Sequence, residues 1–572
     1  ASRGLGDVYK RQYLLIAFCF SACYDDMGNY SYREINTLEV EGIESLYSRD
    51  VDDSLHIVPV LQGTMYSDTS RFTYEWEIER SIKARTPEFH YLIDLTPGEK
   101  KCRYIVTDKE TGIKSYASFR LNVSSSTAGD LIVILSKYKG HAEMSYLRLD
   151  KEANWVVNFY ERRFGEILGN EPQQLLPCYM ESSQAYPIDY IQGRLMVLCD
   201  NQIQLFDKST MQRDTVWPYL SGENYTNLVA YPKPDVEGYK SQFMVEGISM
   251  WRSNPYGSGY QKGCKFIEIS GGTVYSMSDA TNTSSPSYNY KVKSPYGDDG
   301  YLCPFAYWDD MSETPNDHLT QMGYSLGDLI VFDRVYGKFG FYENNSYMRV
   351  IPEEDCQAFP GYEMIWGSAT NRPNNTSIAV ISDGTSCRLL LLEDGTNATT
   401  SNATKKLVGN IGGGVITPSS KFYMASKTDN LFFSSGNALY RYNILDIEGK
   451  TVPSASGKLI DLTQLGYDAS ATIKDIFVSR TERTLLMAVS RYGSDTEGTG
   501  EELKGDLLYF DLNISNGTIS YREDKSVKGI SGNPVNVRIK YQTWWRNGLA
   551  DDGVTIRDNI CLLYTSPSPR DA

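Results

Sequence analysis

The residues best suited to covalent chemistry are a serine flanked by glycines, because residues 323–327 read Gly-Tyr-Ser-Leu-Gly. This spacing matches the G-x-S-x-G turn, in which a strand leads into the serine and a helix follows it. Here residues 328–332 read as a strand, and the nearest histidine, His318, precedes Ser325, whereas that fold places its histidine downstream. The sequence therefore predicts no catalytic residue at this motif. The chain has only four histidines, which leaves little for histidine-based catalysis or metal binding: His56, His90, His141 and His318.

Two acidic pairs, Asp298-Asp299 and Asp309-Asp310, have the carboxylate oxygens that calcium prefers. Solvated loop carboxylates are the more common interpretation of such pairs. We therefore expect no cofactor, with calcium as the exception to test, and we assign no metal ligand.

Aromatic residues offer a better lead to a ligand. Flat rings stack on the apolar faces of sugars or on peptide side chains. Several aromatic residues lie near Gly, Pro, Asn and Asp, which indicates loops, although packing between neighbouring sheets is the alternative. The candidate ligand-binding residues are Trp217, Tyr219, Trp251, Trp308 and Trp366.

The elements that position these residues should be strands. The chain has 572 residues, which is too long for one hydrophobic core, and its 43 Tyr and 47 Gly favour strands and turns. The 72 acidic residues outnumber the 56 basic ones, for a net charge of −16. A surface of that sign repels a phosphate backbone, so we expect no nucleic-acid partner.

Cysteines do not form a recognisable framework. Seven of them lie between residues 100 and 400, widely spaced and without a C-x-x-C pair. An odd, scattered set is typical neither of disulfides nor of zinc, so most should be small buried apolar residues.

A short pattern recurs between residues 130 and 525: an apolar strand that ends in a polar residue and is followed by a turn and another strand. Seven copies lie about 60 residues apart, and they predict a β-propeller with seven blades. Two unrelated β-sandwiches are the alternative. If the copies are equivalent, their end residues should form a ring near one face. These residues are Asp150, Asp207, Ser270, Asp333, Glu393, Asn443 and Asp511.

A smaller all-β region precedes the repeats. Short alternating strands between residues 37 and 123 fit an Ig-like β-sandwich, with Trp76 in mid-strand, where such folds bury one. Pro97-Gly98, the strand 104–108 that ends in Asp, and the turn at Thr111-Gly112 resemble the PKD domain. That resemblance implies a spacer or adhesion module without catalysis.

The N-terminal residues resemble an export signal. Residues 13–20 are apolar and uncharged, and residues 20–23 read Phe-Ser-Ala-Cys, which resembles the lipobox of bacterial lipoproteins. The resemblance implies lipidation of Cys23. Asp25 and Asp26 resemble the surface-export signal of Bacteroidetes lipoproteins, which implies the outer face of the outer membrane, with the periplasmic face as the alternative.

Both chain ends resemble translated sequencing adapter. Residues 7–12 and 563–566 match translations of one adapter read in two frames. The expected domains are an adapter-derived artefact at 1–12, a truncated signal peptide at 13–22, a tether at 23–36, a PKD/Ig-like sandwich at 37–125, a β-propeller at 126–545, a tail at 546–560 and a second artefact at 561–572.

The order of lipobox, sandwich and propeller resembles the PKD-like lipoprotein family of Bacteroidetes. The resemblance implies a non-catalytic accessory protein of a nutrient-uptake system. Its partners would be a TonB-dependent transporter, the lipoprotein lid of that transporter, and a glycan or peptide ligand. A propeller glycoside hydrolase or polysaccharide lyase is the alternative, because carboxylate spacing is set in three dimensions. A protein–protein scaffold or adhesion module is the second alternative.

Overall fold

The computed structural model describes most of the chain between residues 35 and 545. The described residues are 35–66, 68–149, 154–180, 190–207, 210–217, 245–252, 264–278, 287–309, 328–343, 347–395, 404–479, 481–491, 503–540 and 543–545. Within them the protein is all-β, as predicted, with one short α-helix, α1 (Tyr160–Phe164). The described 3₁₀ helices are Thr69–Arg71, Ile444–Ile447, Ala455–Gly457, Leu462–Leu465 and Glu523–Lys525. None of the described helices has the length and apolar character needed to cross a membrane.

The chain divides into two compact units, residues 1–124 and 125–572. The strands of the first unit are β1 (Leu38–Glu41), β2 (Leu46–Asp50), β3 (Ser54–Ile57), β4 (Val60–Gly63), β5 (Phe72–Ile78), β6 (Ser81–Ala84), β7 (Phe89–Leu92), β8 (Gly98–Asp108) and β9 (Lys114–Ser124). They form a five-stranded sheet in the order β2-β9-β8-β5-β6 and two strand pairs, β1–β4 and β3–β7.

One hydrophobic core joins these sheets into a sandwich. Leu55 and Ile57 from the β3–β7 pair pack with Trp76 and Tyr104 from the larger sheet. Trp76 is buried in mid-strand, as predicted, because the alternation of β5 turns every second side chain inward. Two strands of this unit, β2 and β6, carry few apolar side chains, so alternation does not indicate them in the sequence.

The predicted PKD-like turn is organised by Asp108. Its carboxylate accepts the backbone N–H groups of Glu110 (2.8 Å) and Thr111 (3.1 Å) and the hydroxyl of Tyr66. These bonds lower the pKa of Asp108, with the Tyr66 hydroxyl as the largest cause. A carboxylate that ends a strand and caps the following turn explains why the sequence places Asp there.

The second unit consists of successive antiparallel sheets, made of consecutive strands except where strands from the end of the chain join the first two sheets. We number them sheets 1 to 7 along the chain. Sheet 1 contains β10 (Leu131–Tyr138) and β11 (His141–Arg148); sheet 2, β12 (Pro172–Met180), β13 (Tyr190–Cys199), β14 (Gln202–Phe206) and β15 (Arg213–Trp217); sheet 3, β16 (Val245–Arg252), β17 (Cys264–Ser270), β18 (Thr273–Ser278) and β19 (Ser287–Val292); sheet 4, β20 (Tyr307–Trp308), β21 (Leu329–Asp333), β22 (Lys338–Glu343) and β23 (Tyr347–Val350).

The remaining sheets follow the same plan. Sheet 5 contains β24 (Glu363–Ala369), β25 (Ser377–Ser382), β26 (Cys387–Gly395) and β27 (Thr404–Gly412); sheet 6, β28 (Phe422–Met424), β29 (Asn430–Ser435), β30 (Ala438–Asn443) and β31 (Lys458–Asp461); sheet 7, β32 (Thr472–Val478), β33 (Thr484–Ser490), β34 (Gly505–Asn513) and β35 (Thr518–Tyr521), with β36 (Val527–Ser531) paired to β34. Repeated four-stranded sheets of this kind are the architecture of a β-propeller.

Middle strands of these sheets are apolar on both faces. In β25, Ile378 and Val380 pack toward sheet 6, whereas Ala379 and Ile381 pack toward sheet 4. All six residues of β25 are buried. A strand enclosed on both faces has no solvent side to keep polar, which explains the continuous apolar runs in the sequence.

The chain returns to its start through β37 (Asn533–Lys540), which pairs antiparallel with β10 of sheet 1. This strand lies beyond the last repeat copy but within residues 126–545, the range predicted for the propeller. Asp475 of sheet 7 accepts hydrogen bonds from the Asn536 amide (3.1 Å), the Val537 N–H (2.9 Å) and Arg538. Asn536 in turn accepts the N–H of Leu175 in sheet 2 (2.9 Å). A buried polar network therefore connects β37 to sheets 7 and 2. A last strand, β38 (Thr543–Trp545), pairs with β13.

The predicted ring of strand-end residues is wrong in part. Four of the seven copies are third strands of their sheets, namely β14, β26, β30 and β34, and a fifth, β11, is an outer strand of sheet 1. Ser270 and Asp333, however, end β17 and β21, which are second strands. Neighbouring strands run antiparallel, so these two residues lie at the opposite end of their sheets from the other copies. Six of the seven copies are middle strands, and a four-stranded sheet has two middle strands, so spacing alone could not separate the second strand from the third. Asp150 lies outside the described residues.

Candidate functional site

The predicted aromatic residues are not loop residues where the structure describes them. Trp217 ends β15 and pairs with Ile203, and Trp251 lies in β16 opposite Lys265. Trp308 ends β20, and Trp366 lies in β24. Tyr219 lies outside the described residues. The nearby Gly, Pro and Asn residues indicate the turns between strands rather than the position of the rings themselves.

Two of these tryptophans pack against cores. The Trp366 ring stacks on Phe422 of sheet 6, with ring centroids 5.0 Å apart and planes at 24°. Trp308 is half-buried beside the cluster that contains Leu329 and Val331. Packing between neighbouring sheets, which the sequence left open, is therefore the role of Trp366 in this structure.

The predicted lipidation and export residues lie outside the described part of the chain. Cys23, Asp25 and Asp26 lie within residues 1–34, and the tail and both adapter-like ends also lie outside the described residues. The serine motif at 323–327 and His318 lie outside them too. The strand predicted to follow that motif is β21, so the helix that a nucleophile turn requires is replaced by a strand.

The strongest cluster of charged groups is a buried one that the sequence did not reveal. Lys405 of β27 forms ion pairs with Asp394 of β26, with Asp309, which follows β20, and with Asp328, which precedes β21. The Nζ–Oδ2 distance to Asp328 is 2.9 Å. The Lys405 side chain is 1% exposed, and those of Asp309, Asp328 and Asp394 are 0%, 12% and 34% exposed. The cluster thus joins sheets 4 and 5 and faces solvent mainly through Asp394.

Backbone and amide donors hold two of the three carboxylates in place. The N–H of Asp328 donates to Asp309 Oδ1 (2.7 Å), and Asn375 Nδ2 donates to Asp394 Oδ2 (2.8 Å). Asp394 and Lys405 are also direct cross-strand partners. Opposite charges at directly paired positions stabilise a sheet, and here the pair continues into the next sheet.

The electrostatics of this cluster follow from burial and mutual attraction. Burial raises the pKa of Asp309 to about 7, against the opposing effect of the Lys405 ammonium. Burial by itself lowers the pKa of Lys405, but the surrounding carboxylates, Asp309 first, outweigh it and raise the pKa. Lys405 therefore stays charged at neutral pH, and Asp309 keeps a proton to a higher pH than an exposed aspartate does.

Three carboxylates within reach of one another could hold a metal ion. In this structure the Lys405 ammonium already supplies the positive charge at their centre. A ligand would have to displace an enclosed lysine to enter, so the arrangement fits an internal support between two sheets. One sequence signal pointed toward the cluster. Residues 327–333 and 505–511 are nearly identical and both place an Asp directly before an apolar run; in the structure Asp328 and Asp506 are both buried.

The two acidic pairs that were considered for calcium differ in exposure. Asp298 and Asp299 are exposed, and Asp299 accepts the Tyr336 hydroxyl at 2.6 Å. Among the described residues, neither belongs to a group of three converging ligands. Asp309 is buried rather than solvated, because Lys405 neutralises it, and Asp310 lies outside the described residues. A third acidic group, at Glu143, is used to cap α1 through the N–H groups of Tyr160 (3.0 Å) and Glu161 (2.9 Å).

Five cysteines have described side chains, and all are buried and free, as the prediction of small buried apolar residues requires. Burial raises the pKa of four of them to about 12 and also raises that of Cys387. The four are Cys102, Cys199, Cys303 and Cys356. These thiols are inert at neutral pH.

Comparison with protein families identifies one region. Residues 23–172 match the model of the PKD-like family, which covers about a quarter of the chain. Comparison with curated protein sequences finds no match.

Solved structures with a related shape include Bacteroides proteins. A quinoprotein alcohol dehydrogenase-like protein from Bacteroides thetaiotaomicron is 10% identical, with a TM-score of 0.41 over 87% of this chain and 94% of that chain. An auxiliary nutrient binding protein from Bacteroides ovatus is 7% identical, with a TM-score of 0.30 over 77% and 92%. The WD40 domain of SCAP from fission yeast is 11% identical, with a TM-score of 0.27 over 67% and 78%. Likenesses this distant transfer neither a ligand nor an activity to this chain.

Proposed function

We propose that this protein is a lipid-anchored binding component on the bacterial cell surface that captures a glycan or peptide for uptake. The observation that carries the proposal is the match to the PKD-like family, which begins at Cys23, the residue that the lipobox marks for lipidation. The start of the match coincides with the position at which the lipobox predicts cleavage, which supports Cys23 as the anchor. On this proposal a TonB-dependent transporter and its lipoprotein lid are the partners.

On this proposal the seven sheets of the second unit form a closed seven-bladed propeller. Each described sheet shares a core with the next or lies beside it, and Asp475 of sheet 7 binds β37 of sheet 1. Seven sheets linked in this cyclic order support seven blades, with β37 as the strand that closes the ring. Closure leaves short, protected sheet edges, which suits a protein exposed outside the cell.

The proposed ligand surface involves Trp217, Tyr219 and Trp251. Trp308 and Trp366 contribute less, because both pack against cores. Trp217→Ala and Trp251→Ala should weaken retention on a polysaccharide or peptide column without changing the melting temperature. Trp366→Ala is the contrast, since it should lower the melting temperature first. Equal retention for all three variants would contradict an aromatic ligand surface.

The anchor has a direct test. With a basic start supplied ahead of Tyr13, cells fed a fatty-acid analogue should label the protein, and Cys23→Ala should abolish the label. Cys19→Ala, within the apolar segment, is the matched control and should keep it. Label that persists in Cys23→Ala would refute the site.

Surface exposure is tested separately. Protease added to intact cells should degrade the protein, whereas a variant with Asp25→Ala and Asp26→Ala should be protected inside the outer membrane. Glu34→Ala, in the same tether, should remain accessible. Protection of the unchanged protein would favour the periplasmic face.

A propeller glycoside hydrolase or polysaccharide lyase is the alternative, and the three-carboxylate cluster is the observation that would favour it. Lys405 lies between those carboxylates, and Asp309 is enclosed, so the cluster supports sheet pairing better than attack on a sugar. A scaffold or adhesion module is the second alternative. Product release from a polysaccharide would establish the first, and retention of a transporter without any small ligand would establish the second.

A further inference from the structure

A second group of metal-ligating side chains lies on the surface of the first unit. His56 of β3 and His90 of β7 are direct partners in an antiparallel pair, and their imidazole rings stack with centroids 3.9 Å apart. Glu88 lies just before β7, and its Oε2 is 3.4 Å from His56 Nε2 and 3.3 Å from His90 Nε2. The ligand atoms of all three residues lie within 4.8 Å of one another.

The spacing of these atoms fits a zinc ion. Zinc binds imidazole nitrogen and carboxylate oxygen at about 2.0–2.2 Å in tetrahedral geometry, which places neighbouring ligand atoms about 3.3 Å apart. Both nitrogen–oxygen distances in this group agree with that separation. Two imidazoles and one carboxylate leave a fourth position for water or an incoming donor.

The core of the sandwich holds the three ligands in place. Leu55 and Ile57 on either side of His56 are buried, so the alternation of β3 turns His56 outward. Phe89, between Glu88 and His90, is fully buried and stacks on Trp76 with centroids 4.7 Å apart. The ligands therefore project from a rigid element, which is what a preformed metal site requires.

The segment that carries Glu88 is fixed as well. Trp76 Nε1 donates to the Thr86 carbonyl (2.8 Å), and the Tyr104 hydroxyl donates to the Pro87 carbonyl (3.2 Å). Two buried aromatic residues thus hold the backbone just ahead of Glu88. Side-chain freedom remains only in the ligands themselves.

We propose that His56, Glu88 and His90 form a surface site for a zinc ion. The side chains of His56, Glu88 and His90 are 52%, 50% and 66% exposed, so an ion reaches them directly from solvent. Metal capture requires the two parallel rings to tilt toward the ion, and their exposure allows that rotation. The five described cysteines offer no competing surface thiolate, because all are buried.

Zinc binding to the full chain tests the proposal. Chain stripped with a chelator and titrated with Zn²⁺ against a chromophoric competitor should bind one ion, and His56→Ala, His90→Ala and Glu88→Gln should each lose more than about tenfold in affinity. His141→Ala is the matched control, since His141 lies near Glu143 and Glu161 in the second unit and should leave zinc binding unchanged.

Thermal unfolding gives an independent readout. Zinc that binds the folded chain should raise the melting temperature of the unchanged protein and of His141→Ala, but not that of Glu88→Gln. Failure of the unchanged protein to bind Zn²⁺ would overturn the proposal. Loss of binding in His141→Ala with retention in His90→Ala would overturn it as well, because the ion would then lie in the other unit.

Discussion

The His56–Glu88–His90 group and the Lys405 cluster use similar ligand atoms but differ in burial and in what neutralises their carboxylates. In the first unit the three side chains are at least half exposed, and Glu88 faces two imidazoles. In the second unit three carboxylates surround a lysine that is 1% exposed. The difference teaches that convergent ligands alone do not make a binding site. In the second group, the buried Lys405 ammonium makes the three carboxylates a support between two sheets.

Removal of that cation should have the largest effect. Lys405→Met would leave three facing carboxylates without their counter-ion, and loss of one partner of a buried pair costs about 3–5 kcal/mol of unfolding free energy. Urea denaturation measures the loss. Lys406→Met, at the exposed neighbouring position of the same strand, should change little. Equal stability of both variants would show that the carboxylates relax into solvent and that sheets 4 and 5 do not depend on the cluster.

The pH dependence of stability should come next, and its sign follows from Asp309. The pKa of Asp309 is raised from 3.8 to about 7 in the folded chain, so the folded state keeps a proton that the unfolded state releases between those values. Stability should therefore fall as pH rises from about 4 to about 7 and then level off. Asp309→Asn should flatten that slope, whereas the exposed Asp511→Asn should not. A slope unchanged in Asp309→Asn would assign the proton to another carboxyl group.

Loss of the closing network should have a moderate effect. Asp475→Ala would leave the Val537 N–H, the Asn536 amide and Arg538 without their shared acceptor, and a buried unpaired donor costs about 1–3 kcal/mol. Asp511→Ala, at a surface ion pair with Arg522, is the control and should cost less than about 1 kcal/mol. Proteolysis near β37 should increase in Asp475→Ala alone. If cleavage rises elsewhere first, the closing strand is held mainly by its pairing with β10.

Local patterns predicted strands in both units, because alternation or an apolar run is visible within a single strand. Trp76 was correctly placed in mid-strand because the alternation of β5 shows one buried face. The position of each strand within its sheet was harder to predict. The segments that end at Asp333 and Asp511 differ at only two of seven positions, yet the first lies in a second strand and the second in a third. Burial on both faces removes the polar residues that would have distinguished them.

The charged groups were less predictable than the fold. Asp309, Asp328, Asp394 and Lys405 are up to 96 residues apart, and only the packing of sheets 4 and 5 brings them together. His56 and His90 were counted as too few for metal binding, although two imidazoles and one carboxylate suffice when a strand pair aligns them. Sequence spacing indicates ligands on one element, but it does not indicate ligands that meet across two.

The smallest expected effect concerns how the sandwich core supports its surface. Trp76→Phe keeps an aromatic ring in the core but removes the donor to the Thr86 carbonyl, which should cost about 1 kcal/mol of unfolding free energy. The same change should weaken zinc binding, because the segment before Glu88 would keep only the Tyr104 bond at Pro87. Supporting contacts of this kind change metal affinity by about 10–100-fold when lost. Tyr116→Phe, at an exposed ring of the same unit, should change neither quantity. If Trp76→Phe lowers stability but leaves zinc affinity intact, then the pairing of β3 with β7 alone positions the ligands. Support from the core would then not explain why the His56–Glu88–His90 group differs from the Lys405 cluster.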